Sequence, residues 1–164
     1  MLLSVAFDYA EHLPKGYQKK VDKEIAMIWP ETNISIQAMM IDEDKIDESK
    51  SIGIQNIYQL LSDVNVKGYI AHAKVPSKFD FFDIAIFYDT SFEIRSMKVL
   101  AYREDHGGEV GSKRWLKQFI GKTSDDPITL YDDIQGISGA TMSCVSATRG
   151  AKEITEFISN LDLY

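Results

Sequence analysis

The 164-residue chain is 45% hydrophobic and 26% charged, ordinary proportions for a soluble globular protein and enough length for one domain with a sizeable core. Its formal net charge of -7 argues against a nucleic-acid partner, which would need clustered Lys and Arg, and any phosphate it holds must rely on local donors. Its one cysteine, Cys144, offers neither an intramolecular disulfide nor a metal framework, and no apolar run is long enough to cross a bilayer.

Met1 to Phe7 is apolar, but it has no basic residues ahead of it and is too short for a complete signal peptide. Residues 1–14 are therefore set apart as an N-terminal segment, either the remnant of a trimmed signal or tether or a first strand or helical turn. Residues 15–164 read as one domain, without repeat or linker. Lys15 to Trp29 has the spacing of a helix, with Tyr17, Val21, Ile25 and Ile28 on one face, and Pro30 stops it. Asn33 to Ile41 alternates Ile34, Ile36 and Ala38 with polar residues, as a strand does, and the acidic Asp42 to Lys50 stretch reads as a solvated loop. Four strand-like runs come next, near 55–61, 67–75, 82–88 and 94–102. The turn signals Pro76-Ser77-Lys78 and Asp89-Thr90-Ser91 lie between them. Strands in hairpin succession predict an antiparallel sheet. Trp29, Tyr69, Phe87 and Tyr88 are assigned to packing.

The period then changes. Lys113 to Ile120 reads as a short helix with Trp115, Leu116 and Phe119 inward and Gly121 as its stop. Asp125-Asp126-Pro127 is a loop, and Ile128 to Leu130 a short strand or an extended approach to a glycine turn. From Ser143 to Leu161, Ile154, Phe157, Ile158 and Leu161 recur at i, i+3, i+4 and i+7, an amphipathic helix. The fold class expected is α+β: a mostly antiparallel sheet with helices packed at its ends, in a single domain.

Chemistry concentrates in two places. Gly136-Ile137-Ser138-Gly139-Ala140-Thr141-Met142-Ser143 joins two glycines and three hydroxyls at the start of the last helix. A helix start carries unpaired N–H groups and the positive end of the macrodipole, which together suit a phosphate. The same residues also suit a plain N-cap, because Ser and Thr oxygens accept from those N–H groups. The second place is Tyr102-Arg103-Glu104-Asp105-His106-Gly107-Gly108-Glu109-Val110, where a strand ends in charges and a glycine turn. His12, His72 and His106 have no metal-ligand spacing, and no Ser-His-Asp set or nucleophile elbow is present, so neither a metal site nor a catalytic residue is named.

The string Ser138-Gly139-Ala140-Thr141-Met142-Ser143 resembles the flavin-attachment motif of the FMN-binding domain family, acidic-x-x-Ser/Thr-Gly-Ala-Thr-x-Ser/Thr. That family includes the C subunit of the sodium-pumping NADH:quinone oxidoreductase and the G subunit of the Rnf complex. The resemblance implies FMN joined through its phosphate to Thr141. N–H groups of Met142, Ser143 and Cys144 and hydroxyls of Ser138 and Ser143 would serve as phosphate donors, beside the small residues Gly139 and Ala140. Glu104, Gly107–Gly108 and Gln118-Phe119-Ile120-Gly121-Lys122 match the family layout. Tyr102, Arg103, Glu104, Gly107, Gly108, Glu109 and Val110 then become a wall around the flavin ring. Tyr102 and Trp115 are candidates for stacking or for the core, and Arg103 for pairing with phosphate or reduced flavin.

Two departures stand out. Asp105-His106-Gly107-Gly108 replaces the usual Thr-Pro-Gly turn. Gln135 holds the acidic position six before the threonine, a recognition feature for the flavin transferase, with Asp132 and Asp133 just upstream. Covalent FMN, non-covalent FMN and an empty site all remain open. The resemblance implies an electron-transfer flavoprotein on the periplasmic or other extracytoplasmic face of a bacterial membrane, with redox partner proteins there and a flavin transferase for maturation. The alternatives are a flavin reductase with a small substrate of its own and a non-redox assembly module that has lost the flavin.

Overall fold

Among the described residues, five strands form one antiparallel sheet in the order in which they occur along the chain: β1 (Ser35–Ala38), β2 (Ile54–Ser62), β3 (Asn65–Pro76), β4 (Phe81–Tyr88) and β5 (Ile94–Ala101). A computed structural model describes residues 13–30 and 33–162, so the N-terminal segment of residues 1–14 lies outside the described residues except for Leu13 and Pro14. Two long helices, α1 (Lys15–Ile28) and α4 (Thr141–Ser159), cover opposite faces of the sheet. Because side chains alternate along a strand, β4 serves both. Its Phe82, Ile84, Ile86 and Tyr88 pack with Cys144, Ala147, Ala151, Ile154 and Ile158 of α4. Its Ala85 and Phe87 pack with Val21 and Ile25 of α1. Burying side chains such as Phe82 and Ile86 completely contributes about 1.5–3 kcal/mol apiece.

The α+β class holds. Of the expected packing residues, Tyr69, Phe87 and Tyr88 are buried and Trp29 lies half-buried against the α1-side core. The acidic stretch expected as a loop is instead a nine-residue helix, α2 (Glu43–Ser51). Glu43 and Asp44 sit in its first turn and Lys50 in its last, complementing the helix dipole, and Lys45 pairs with Glu48 at 3.6 Å. Strand β1 is shorter than the alternation suggested, and Met40 beyond it is almost fully exposed. The helix after β5 covers only α3 (Lys113–Leu116), continued by a 3-10 turn over Lys117–Phe119. Helix α4 starts at Thr141, two residues before the apolar periodicity begins.

Three segments meet at one end of the sheet: the β3–β4 turn, the residues after β5 and the start of α4. The β3–β4 turn, residues 77–80, adjoins the last residues of β5 because Asp83 pairs with Ala101. In the next pair Ile84 opposes Val99, which leaves Leu100 as an extra residue in the ladder. Such a bulge re-aims the residues after it, here Tyr102 and Arg103.

Candidate functional site

A cleft of about 630 Å³ opens at this end of the molecule, a volume ordinary for a small-molecule site. One wall is the start of α4, residues 139–143, and the second is the turn from Tyr102 to Gly107. The third is the β3–β4 hairpin tip, Ser77-Lys78-Phe79-Asp80, which the sequence marks only as a turn.

The helix wall is an open helix end. Ala140 occupies the N-cap position, and no side chain caps the helix. The ordinary use of Ser and Thr at a helix start is therefore absent here, and the N–H groups of the first turn keep their capacity for an anion. The Cys144 N–H, expected among those donors, is spent inside the helix on the Ala140 carbonyl at 2.9 Å. Gly139 reaches φ +84° ahead of this turn, a conformation that a Cβ disfavours. Thr141 and Met142 are exposed, whereas Ser143 is buried. Cys144 packs in the core, and burial pushes its thiol pKa up, away from nucleophilic reactivity.

At the floor, hydroxyls from the three walls meet. Tyr102 Oη donates to the His106 carbonyl at 2.7 Å and lies 2.8 Å from Ser143 Oγ; Ser143 Oγ lies 3.3 Å from Ser77 Oγ. The Tyr102 ring leans on Phe82, centroids 5.4 Å apart. Gly107, at φ +89°, fits over this cluster because a Cβ there would stand 2.5 Å from Tyr102 Oη.

The hairpin wall is held by side chains that the family resemblance aims at the flavin. Glu104 Oε1 accepts from the N–H groups of Phe79, at 2.7 Å, and Asp80, at 3.0 Å. Those bonds, the Phe79 N–H foremost, keep the Glu104 carboxyl below its ordinary pKa. Arg103 Nη1 donates to the Phe81 carbonyl at 2.9 Å, and its Nη2 pairs with Asp83 Oδ1 at 2.7 Å and reaches Tyr17 Oη at 3.1 Å. The other oxygen of Asp83 is 2.7 Å from His72 Nε2, and both Asp83 and His72 are buried. Burial pushes the Asp83 carboxyl upward, but the bonds from His72 and Arg103 outweigh it and hold its pKa below the ordinary range.

Of the residues singled out by sequence, the structure gathers Tyr102, Arg103, Glu104, Gly107, Gly139, Ala140, Thr141, Met142 and Ser143 around the cleft. Ser138, Gly108 and Glu109 stand outside its lining, and Val110 is fully buried in the core. Trp115 is also in the core, edge-on to Phe119 at 5.2 Å. It acts at a distance from the cleft: its Nε1 donates to the Gln135 carbonyl at 2.6 Å, while Gln118 Oε1 accepts from the Gln135 N–H at 2.8 Å. Those two bonds hold the strand of loop leading to Thr141. They also keep Gln135 in the position where the motif has its acid. Asp133 cannot shift into that place without loss, since it accepts from Lys122, Thr129 and Ile128 at 2.7, 2.6 and 3.1 Å. Burial acts to raise the Asp133 pKa, and these donors more than reverse it.

An α+β domain with an uncapped helix end, a glycine-lined turn and a cleft of this size has donors and room for an anionic ligand with an extended body. Residues 81–156 match the model of the FMN-binding domain and belong to that family, which makes this a flavin-binding protein with FMN as its cofactor. No curated protein matches the chain. The matched segment contains the glycine turns and most of α4, whereas the hairpin tip at 77–80 precedes it. The residues present fit FMN: helix N–H groups without a side-chain cap for the phosphate, and a cleft of sufficient volume for the ring.

Proposed function

We propose that this is an extracytoplasmic FMN-carrying electron-transfer protein whose flavin is attached through its phosphate to Thr141. The observation that carries the attachment is the exposed Thr141 at the first position of a 19-residue helix with no side-chain cap, on the wall of the cleft. The first-turn N–H groups then serve the phosphate of an ester on that residue. Bound FMN supplies the redox chemistry; the protein supplies binding, orientation and shelter from water. The extracytoplasmic setting, the redox partners near the membrane and the maturing flavin transferase are supported by the family resemblance of the Thr141 motif.

Intact-mass measurement after co-expression with a flavin transferase, shown active on a control protein, tests the attachment. One FMN of added mass in the wild type and none in Thr141→Ala is the expected result. Gln135→Asp, which restores the acidic position of the motif, should raise the flavinylated fraction. No added mass in the wild type sinks the covalent bond, and titration with free FMN then decides the rest. Failure to bind it favours the assembly module, whereas turnover with soluble donor and acceptor, without partner proteins, favours the reductase.

A further inference from the structure

We propose that Phe79 is the residue of this cleft that stacks on the flavin ring, and that Glu104 is the positioning residue that holds it there; this rests on the FMN reading of the site. Phe79 lines the cleft with 83% of its surface exposed, an unusual state for a phenylalanine. Its backbone is tied down nonetheless. Glu104 accepts its N–H and that of Asp80, and the Ser77 N–H donates to the Asp80 carbonyl at 2.7 Å. An aromatic side chain is thus presented by a clamped turn, so little ordering entropy is lost when a partner ring meets it.

The other aromatic candidates are occupied. Trp115 is buried away from the cleft, and Tyr102 leans on Phe82 with its hydroxyl in the Ser143–His106 cluster. Lys78 Nζ stands 4.9 Å over the Phe79 ring centroid and takes one face, which leaves the other for a planar ring. Among the described residues, the only other exposed large apolar side chain on the cleft is Met142, on the helix wall. The hairpin tip precedes residues 81–156, the segment matched to the family.

The test uses the full chain expressed without transferase and compares FMN with riboflavin, which has the ring but no phosphate. Phe79→Ala is expected to weaken both ligands by the same factor, roughly 3- to 10-fold. Since it acts on the ring alone, the ratio of FMN to riboflavin affinity should not change. Phe79→Trp should keep both affinities near the wild-type value and quench the bound flavin's fluorescence below the wild-type level, because a stacked indole donates an electron to the excited ring and a phenyl ring does not. Glu104→Ala should reproduce part of the loss and combine with Phe79→Ala less than additively, while Glu104→Gln, which keeps an acceptor oxygen, recovers most of it. Wild-type affinity for riboflavin in Phe79→Ala, with unaltered flavin fluorescence in Phe79→Trp, overturns the proposal and leaves the FMN reading intact. A wild-type protein that binds neither flavin overturns both.

Discussion

The helix wall and the hairpin wall of the cleft treat their backbone polar groups in opposite ways. At the start of α4 no side chain caps the first turn, and its donors stay open. On the hairpin side, Glu104 closes the Phe79 and Asp80 N–H groups and Arg103 closes the Phe81 carbonyl. Open donors suit a wall that meets charge. Closed ones suit a wall that presents an apolar side chain, because an unmet N–H beside a flavin ring would cost free energy. The contrast also separates local from distant causes: the helix end is built from neighbours in the chain, the hairpin from groups more than twenty residues away.

Removing the buried charge behind the hairpin should damage the molecule most. Asp83→Ala strands Arg103 and His72, and is expected to cost about 2–3 kcal/mol in urea unfolding, allowing for the solvent around Arg103. The same carboxylate sets an acid limb. Its folded pKa is depressed, so its stabilisation is present above the ordinary carboxylate pKa, near 4, and is lost as pH falls through the lower folded value. Asp83→Ala should flatten that part of the stability-versus-pH curve, though Asp133 and Glu104, shifted the same way, keep some of it.

The junction of the walls comes next. Gly107→Ala should lose about 2 kcal/mol, since a Cβ adds both left-handed strain and a clash with Tyr102 Oη. Gly139→Ala shares the strain but meets nothing within 4 Å, so about 1 kcal/mol is expected from the same melts. Ser143→Ala removes one member of the hydroxyl cluster and should cost about 1 kcal/mol. The smallest effect belongs to the open wall. Thr141→Ala should stay within about 0.5 kcal/mol of wild type while abolishing any covalent flavin, because the residue is exposed and caps nothing. A large destabilisation there would erase the difference between the walls.

The helix wall was legible in the sequence because its parts are consecutive: Gly139, Thr141 and Ser143 lie within one turn of the helix they begin. The strands and α4 were legible for the same reason, through alternation and helical spacing. Lys15–Trp29 and Ser143–Leu161 differ from the observed helices only at their ends. The acidic run at 42–50 does not read as a helix by its charge, because its helical signal lies in the end-to-end order of those charges. Trp115 was ambiguous because helical spacing is equally good for the core, where it packs on Phe119.

From its sequence alone, the protein's antiparallel α+β class, its helix-start motif and its kinship with flavin binders could be read, since each depends on residues near one another in the chain. Only the tertiary structure decided that residues 77–80 form a wall, that Arg103 and Glu104 serve this hairpin, and that Trp115 and Gln118 fasten the Gln135 backbone. The reason is physical. A side chain's role is set by the partner it reaches, and Glu104 reaches Phe79, 25 positions back, only after three strands have paired.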